Sequence, residues 1–285
     1  MKEHYRFTVP ISAIRVATLA HAKKAAAGPV LPVLKSRQAG EVFLAETDGS
    51  MIPTVTMATE APDRRKTRKV IWKEAKVVLA RPMGAAKSLY GATFGHARMA
   101  GVLWRKTAEA WGEPGYTHGL GDGAPWIVPQ FNHHFGRRAF KHTGEYLVDF
   151  YHVYEKLGLV REAHRKDQRW LGRQLQRLKD NEAPKVLRSL KPLCEPAAKG
   201  DKAFARIAHR YILDRKDHLD YKGALEKGWP IGSGEVESAH GSVLQSRLKI
   251  NGAKWSLPTA EAMAQLRVLR ANDLWETFWN TNYGI

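Results

Sequence analysis

Apolar positions change period several times along the chain. Val42-Phe43-Leu44 runs up to Asp48-Gly49, and Met51-Ile52-Pro53-Thr54-Val55 continues extended. Residues 63–69 form a charged loop. Residues 70–79 and 88–92 then read as two further strands, rich in β-branched and aromatic side chains between turn signals. Helical spacing follows over 96–111, where Met99, Val102, Leu103 and Ala110 recur, and Gly112 and Pro114 close it. Residues 115–121 are a short strand ending at Asp122-Gly123, and Tyr146-Leu147-Val148 leads into Asp149 and a helix from Phe150. The chain is basic and helical in pattern to about Asp217, with breaks at Pro184, Pro192 and Pro196. A sharp Gly/Pro loop over 228–234 precedes a long predicted helix, 235–249, and a last one, 258–271.

Residues 1–40 are poorly periodic, with a basic Ala-rich piece (21–27) ending at Gly28-Pro29, and read as a lead-in segment. The order strand, strand, strand, helix, strand, then helices is what an RNase H-like core needs. It predicts an α/β fold, a mixed sheet flanked by helices. Residues 41–150 and 227–285 would form that core, with an all-helical insertion over 151–226.

Charge narrows the partner. Lys plus Arg number 46 against 28 Asp plus Glu, a net +18 on 285 residues. A surplus of that size predicts a polyanionic partner, because neutralised phosphates release counterions. No apolar run approaches the roughly 18 residues that span a bilayer, and the start shows no apolar stretch of the signal-peptide kind. The single Cys194 excludes an internal disulfide and a Cys-rich zinc ribbon. These features predict a cytoplasmic, nucleoid-associated protein without a membrane partner.

Metal-assisted phosphodiester chemistry needs acids that converge from distant parts of a chain. The candidates are Asp48, Asp122 and an acid in Gly234-Glu235-Val236-Glu237. Singly each is bland. Asp-Gly is a strong hairpin signal, and Glu at a helix start complements the helix dipole. At roughly 100° per residue, Leu244 and Leu248 fall within roughly 20° of Glu237 and Glu235 falls roughly 160° away. That phasing predicts Glu237 on the packed side and Glu235 facing solvent or DNA. An acid in an apolar stripe needs a partner, either a metal or a structural Lys or Arg.

The stretch Pro230-Ile231-Gly232-Ser233-Gly234-Glu235-Val236-Glu237-Ser238-Ala239, followed by Arg247-Leu248-Lys249, Asn251-Gly252 and Trp255, resembles the C-terminal signature of Mutator-related bacterial insertion-sequence transposases. Thr47 to Pro53, Trp72 to Lys76, Gly121 to Ile127, Leu147 to His152 and Ala260 to Arg270 resemble the family in order. The resemblance covers about 45–280. It implies an RNase H-like DDE enzyme in which Asp48, Asp122 and Glu237 are catalytic acids and ligands of Mg²⁺, with Mn²⁺ as a substitute. It also implies element ends and target DNA as partners, and a homo-oligomer in the DNA complex. The 115 residues between Asp122 and Glu237 leave room for the family's helical insertion.

Asp149-x-x-His152 resembles an accessory element of Mutator-type enzymes, while Asp149 equally suits a helix N-cap. Family members often carry a further N-terminal region that recognises element ends. This chain starts shortly before the first catalytic strand, which predicts salt-dependent, sequence-indifferent DNA binding. Two alternatives stay open: an RNase H-like nuclease that cuts without joining, and a truncated or inactive derivative that only binds DNA. Arg247, Lys249 and Lys254 are candidate phosphate contacts, or plain solvated charges. Trp126, Trp229 and Trp255 read as core anchors more readily than as stacking platforms, and His133, His134 and His240 as packed or surface histidines. The basic run 161–179 is either a DNA-tracking face or a solvated helix surface.

Overall fold

The computed structural model describes residues 8–28, 30–32, 42–58, 60, 62–113, 115–136 and 143–284, and the expected stops at Pro29 and Pro114 lie outside them. In chain order the elements are α1 (Ile11–Ala27), β1 (Val42–Thr56), β2 (Lys69–Pro82), β3 (Leu89–Thr93), α2 (Ala97–Trp111), β4 (Tyr116–Gly121), α3 (Ile127–Phe135) and β5 (Thr143–Val148). They continue with α4 (Phe150–Ala163), α5 (Gln168–Lys179), α6 (Ala183–Leu190), α7 (Phe204–Asp214), α8 (Tyr221–Glu226) and α9 (Gly234–Ala239). A π-helical turn (His240–Gln245), α10 (Ser246–Leu248), α11 (Leu257–Ala271) and α12 (Trp275–Tyr283) complete the chain. Residues 1–115 and 235–285 form one compact unit and 116–234 a second.

In the first unit β1 and β2 are long antiparallel partners, in register from Phe43↔Pro82 to Thr56↔Lys69. β3 pairs antiparallel with the other edge of β2. Asp48-Gly49 is therefore no turn: Asp48 lies inside β1 opposite Val77. Ile52, Val77 and Leu79 on the sheet pack with Val236, Leu244, Leu248 and Met263 from the C-terminal helices.

The poorly periodic start contains α1, packed on α11 through the fully buried Ala22 and Ala25. Alanines let two backbones approach closely but contribute little to an apolar period, while Ile11, Ile14 and Val16 stay exposed. In α2 the buried set is Ala100, Gly101, Trp104, Thr107 and Ala108, with Met99 and Val102 exposed. Trp104 sets that face: it is fully buried and its indole N–H donates to Leu79 O at 3.3 Å.

In the second unit β4 and β5 are parallel, from Tyr116↔Thr143 to Gly121↔Val148. α3 covers them with Phe131 and Phe135, and Gly119 makes room: a Cβ there would lie 2.3 Å from the Phe131 ring. Helices α4 to α8 bury Leu157, Leu171, Leu178, Val186 and Ile212 among themselves. Pro184 does not break the run but opens α6, where a missing N–H costs nothing. The molecule is thus α/β with helices against strands of both senses. Among the described residues no helix is long and apolar enough to cross a membrane.

Candidate functional site

In the first unit the candidates gather where the helix starting at Gly234 runs along one face of β1. Alternate residues of a strand share a face, so Glu46, Asp48 and Ser50 point the same way. Each meets the helix one turn further on. The buried Glu46 Oε2 accepts the Val236 N–H at 2.9 Å. His240 Nε2 lies 3.0 Å from Asp48 O and 3.6 Å from Asp48 Oδ2. Gln245 Nε2 and Lys249 Nζ reach Ser50 Oγ at 3.1 and 3.0 Å. The spacing is physical: two strand residues advance about 6.6 Å and four helical residues about 6 Å.

His240 is 2% exposed, and burial lowers its basicity, with the nearby Lys249 charge adding to that against the Asp48 carbonyl and Glu74. A carbonyl can only accept, so Nε2 carries the proton. Nδ1 is then a buried acceptor with no partner among the described residues. Asp48 is half-buried, and its Oδ1 accepts the Gly49 N–H at 2.7 Å.

The two glutamates sit differently from the sequence expectation. Glu237 is exposed, while Val236, Ala239, Val243, Leu244 and Leu248 form the buried stripe. The cause is the π turn at His240–Gln245. A π turn takes up an extra residue, so everything beyond it lags by up to about 100°. That lag brings Leu244 and Leu248 into line with Val236 and leaves Glu237 off the stripe. Glu235, its side chain 40% exposed, is not free in solvent either. It accepts from Arg81 (2.5 Å to NH2, 3.1 Å to Nε) on β2 and from Ser88 Oγ at 2.8 Å. Burial pushes its carboxyl up, but those hydrogen bonds outweigh burial and hold it below the usual range.

In the second unit Asp122 ends β4, half-buried, with Oδ1 accepting the Ala124 N–H at 2.8 Å. The turn is fixed around it. Gly123 adopts φ +73°, its N–H donates to Tyr146 Oη at 3.0 Å, and the Arg215 guanidinium holds its carbonyl at 2.6 Å. Tyr211 Oη donates to Asp122 O. Burial first, then the Asp122 charge, pushes the Tyr146 phenol well above its usual value.

Asp149 is the buried N-cap of α4. Its Oδ1 accepts from Tyr151 N (2.5 Å) and His152 N (3.3 Å), and its Oδ2 from Ser233 N (2.6 Å) and Ser233 Oγ. Phe150 N donates to Ile231 O at 2.9 Å, and His118 Nε2 meets Pro230 O at 2.8 Å. The Pro-Ile-Gly-Ser part of the signature is thereby strapped to the start of α4 and to β4. The half-buried His152 lies one turn into α4, with Nδ1 3.8 Å from Glu155.

Among the other candidates, Trp229 packs between Tyr116 (5.3 Å) and His118 (5.1 Å), and Trp255 is buried, its O accepting Val55 N at 2.7 Å. His133 and His134 contact each other edge to face at 4.7 Å. In the basic run, Trp170, Leu171, Gln174 and Leu178 turn inward and Arg169 and Arg173 turn to solvent. Sequence reasoning missed Glu46 and Arg81 altogether. A Glu two residues before Asp48, on the same strand face, was the only signal for the first.

No protein-family model and no curated protein matches the chain. Among solved structures it is similar to the Drosophila P element transposase strand transfer complex, at 11% identity and a TM-score of 0.30, over 99% of this chain and 83% of that one.

Proposed function

We propose that this chain is a DDE transposase built on an RNase H-like core, with 151–226 as a helical insertion, acting on DNA through Asp48, Asp122 and Glu237. The observation that carries the reading is the setting of the two aspartates. Both stand in Asp-Gly pairs that by themselves suggest hairpin tips. Instead Asp48 is a half-buried acid in the middle of β1, and Asp122 closes a strand in a turn braced by Tyr146, Tyr211 and Arg215. Such bracing fixes the backbone that carries the carboxylate and is more than a turn needs. The signature around Glu237 and the order of the other matched blocks add the family resemblance.

The donor set suits Mg²⁺, which takes hard oxygen ligands and keeps several waters. Asp48, Asp122 and Glu237 are partly or fully accessible carboxylates. Asp149 fits less well, since each of its oxygens already accepts two hydrogen bonds. We therefore assign Asp149 to holding the loop that leads into the Glu237 helix. Divalent ions held by the three acids would activate the attacking water or 3′-OH and stabilise the leaving oxygen. The chain's own part is to orient these acids. His240 fixes the backbone at Asp48, Arg215 and the two tyrosines fix it at Asp122, and Glu46 fixes the helix start that carries Glu237. Lys249 beside Ser50 supplies a cation for a DNA phosphate near Asp48.

The test is a cleavage and strand-transfer assay with Mg²⁺ or Mn²⁺ and DNA carrying candidate element ends. Cut and joined products are expected. Asp48→Asn, Asp122→Asn and Glu237→Gln should each lower both steps by orders of magnitude and leave DNA binding intact. Cutting without joining would make the chain a nuclease. Binding without either would leave only a DNA-binding derivative.

A further inference from the structure

One groove of the first unit lies apart from the acids. It encloses about 680 Å³ between α1, the end of β1 and the segment after α10, a volume in the range of small-ligand sites. Arg15, Arg68, Arg247 and Lys254 line it, all four are exposed, and among the described residues no carboxylate does. None of the four makes an ion pair among the described residues, whereas ion pairs hold Arg81, Lys87 and Arg105 elsewhere in the same unit. Its apolar wall is exposed at Met57 and Ile250 and backed by the buried Val55, Trp255 and Met263. The Arg247 guanidinium stands 5.5 Å from the Trp255 ring centroid, and the buried Trp255 indole N–H finds no acceptor among the described residues.

We propose that this groove binds an unpaired nucleic-acid strand, with phosphates on the cationic rim and bases against the apolar wall. Four cations brought together without acids are self-repelling, and a polyanion relieves that repulsion. Duplex DNA would satisfy the rim but leave the wall empty, because its bases are stacked inside. An unpaired strand offers both surfaces at once, which is the general pattern of sequence-tolerant single-strand sites. The groove joins Arg247 and Lys254 to two cations distant in sequence, Arg15 on α1 and Arg68 before β2. Lys249 does not belong to it and turns to Ser50 instead. The inference stands on the groove alone and does not require the transposase reading.

The test uses the full chain in EDTA, so that failure of the catalytic proposal leaves it untouched. Fluorescence anisotropy would compare a labelled oligothymidine, a duplex of equal length and an abasic oligomer of equal length. The oligothymidine should bind most tightly. Arg15→Gln with Arg68→Gln should weaken it about tenfold and lower the salt slope by about 1.4, the effect of two lost phosphate contacts. Arg210→Gln with Lys222→Gln, exposed cations of the other unit, removes the same charge and should change binding less than twofold. Met57→Ser with Ile250→Ser, both already exposed on the groove lining, should weaken oligothymidine severalfold and spare the abasic oligomer. Duplex bound as tightly as single strand, or the Arg15/Arg68 variant binding like the control variant, would overturn the proposal.

Discussion

Replacing Asp149 with Ala removes a buried carboxylate that accepts four hydrogen bonds, two from the first turn of α4 and two from Ser233. Loss of the N-cap costs about 1 kcal/mol. Ser233 is 1% exposed, so its N–H and hydroxyl are left buried without an acceptor, at about 1–3 kcal/mol together once the loop relaxes. The sum is about 3 kcal/mol. At a urea dependence of about 2 kcal/mol per molar, the unfolding midpoint should fall by about 1.5 M. Ser233→Ala removes only the hydroxyl bond and should cost about 1–1.5 kcal/mol. His152→Ala, half-buried, should stay within about 0.5 kcal/mol. The measurement is urea unfolding followed by circular dichroism, run in EDTA and again in Mg²⁺. A structural cap gives the same loss in both. If Asp149→Ala were as stable as the parent in EDTA and differed only with Mg²⁺ present, the capping argument would be wrong and Asp149 would be a metal ligand.

Further outcomes follow from single sites. Glu235→Gln should cost about 0.5–1 kcal/mol in urea unfolding, discounted because the Arg81 pair is partly exposed, and leave the proposed strand transfer within a few-fold. Gly119→Ala forces a methyl against the fully buried Phe131 ring and should destabilise the second unit by about 1–3 kcal/mol in thermal unfolding; an unchanged Tm would refute the packing. Burial acts to raise the Glu195 carboxyl, but hydrogen bonds from the backbone, His164 and the N–H groups of Arg206 and Ala205 hold it at about 2. Because that value lies below the unfolded one of about 4.3, its stabilisation is complete above pH ~4.3 and fades as pH falls toward ~2. Acid titration of Glu195→Gln should lack that part of the stability loss, on the order of 1 kcal/mol.

The linear pattern determined what depends on near neighbours. Strand and helix periods placed β2, β3, β4, α2 and α11 to within a few residues, since apolar spacing and turn residues act locally. The Gly-Ser-Gly block announced itself, and Asp149 before Phe150 carried its N-cap signal in plain view. The tertiary structure decided the rest. Nothing local marks Asp48 as a mid-strand residue, because Asp-Gly extends only when a partner such as β2 supplies the ladder bonds. The inward face of α2 was chosen by Trp104 against the sheet and not by the strongest apolar period. An ideal 100° wheel aimed Glu237 inward, but the π turn at His240–Gln245 rephased the helix. That turn exists only in the packed structure, where the helix keeps step with Glu46, Asp48 and Ser50. Charge was legible as a total, +18. Its concentration at Arg15, Arg68, Arg247 and Lys254 was not, because residues more than two hundred positions apart become neighbours only through the fold.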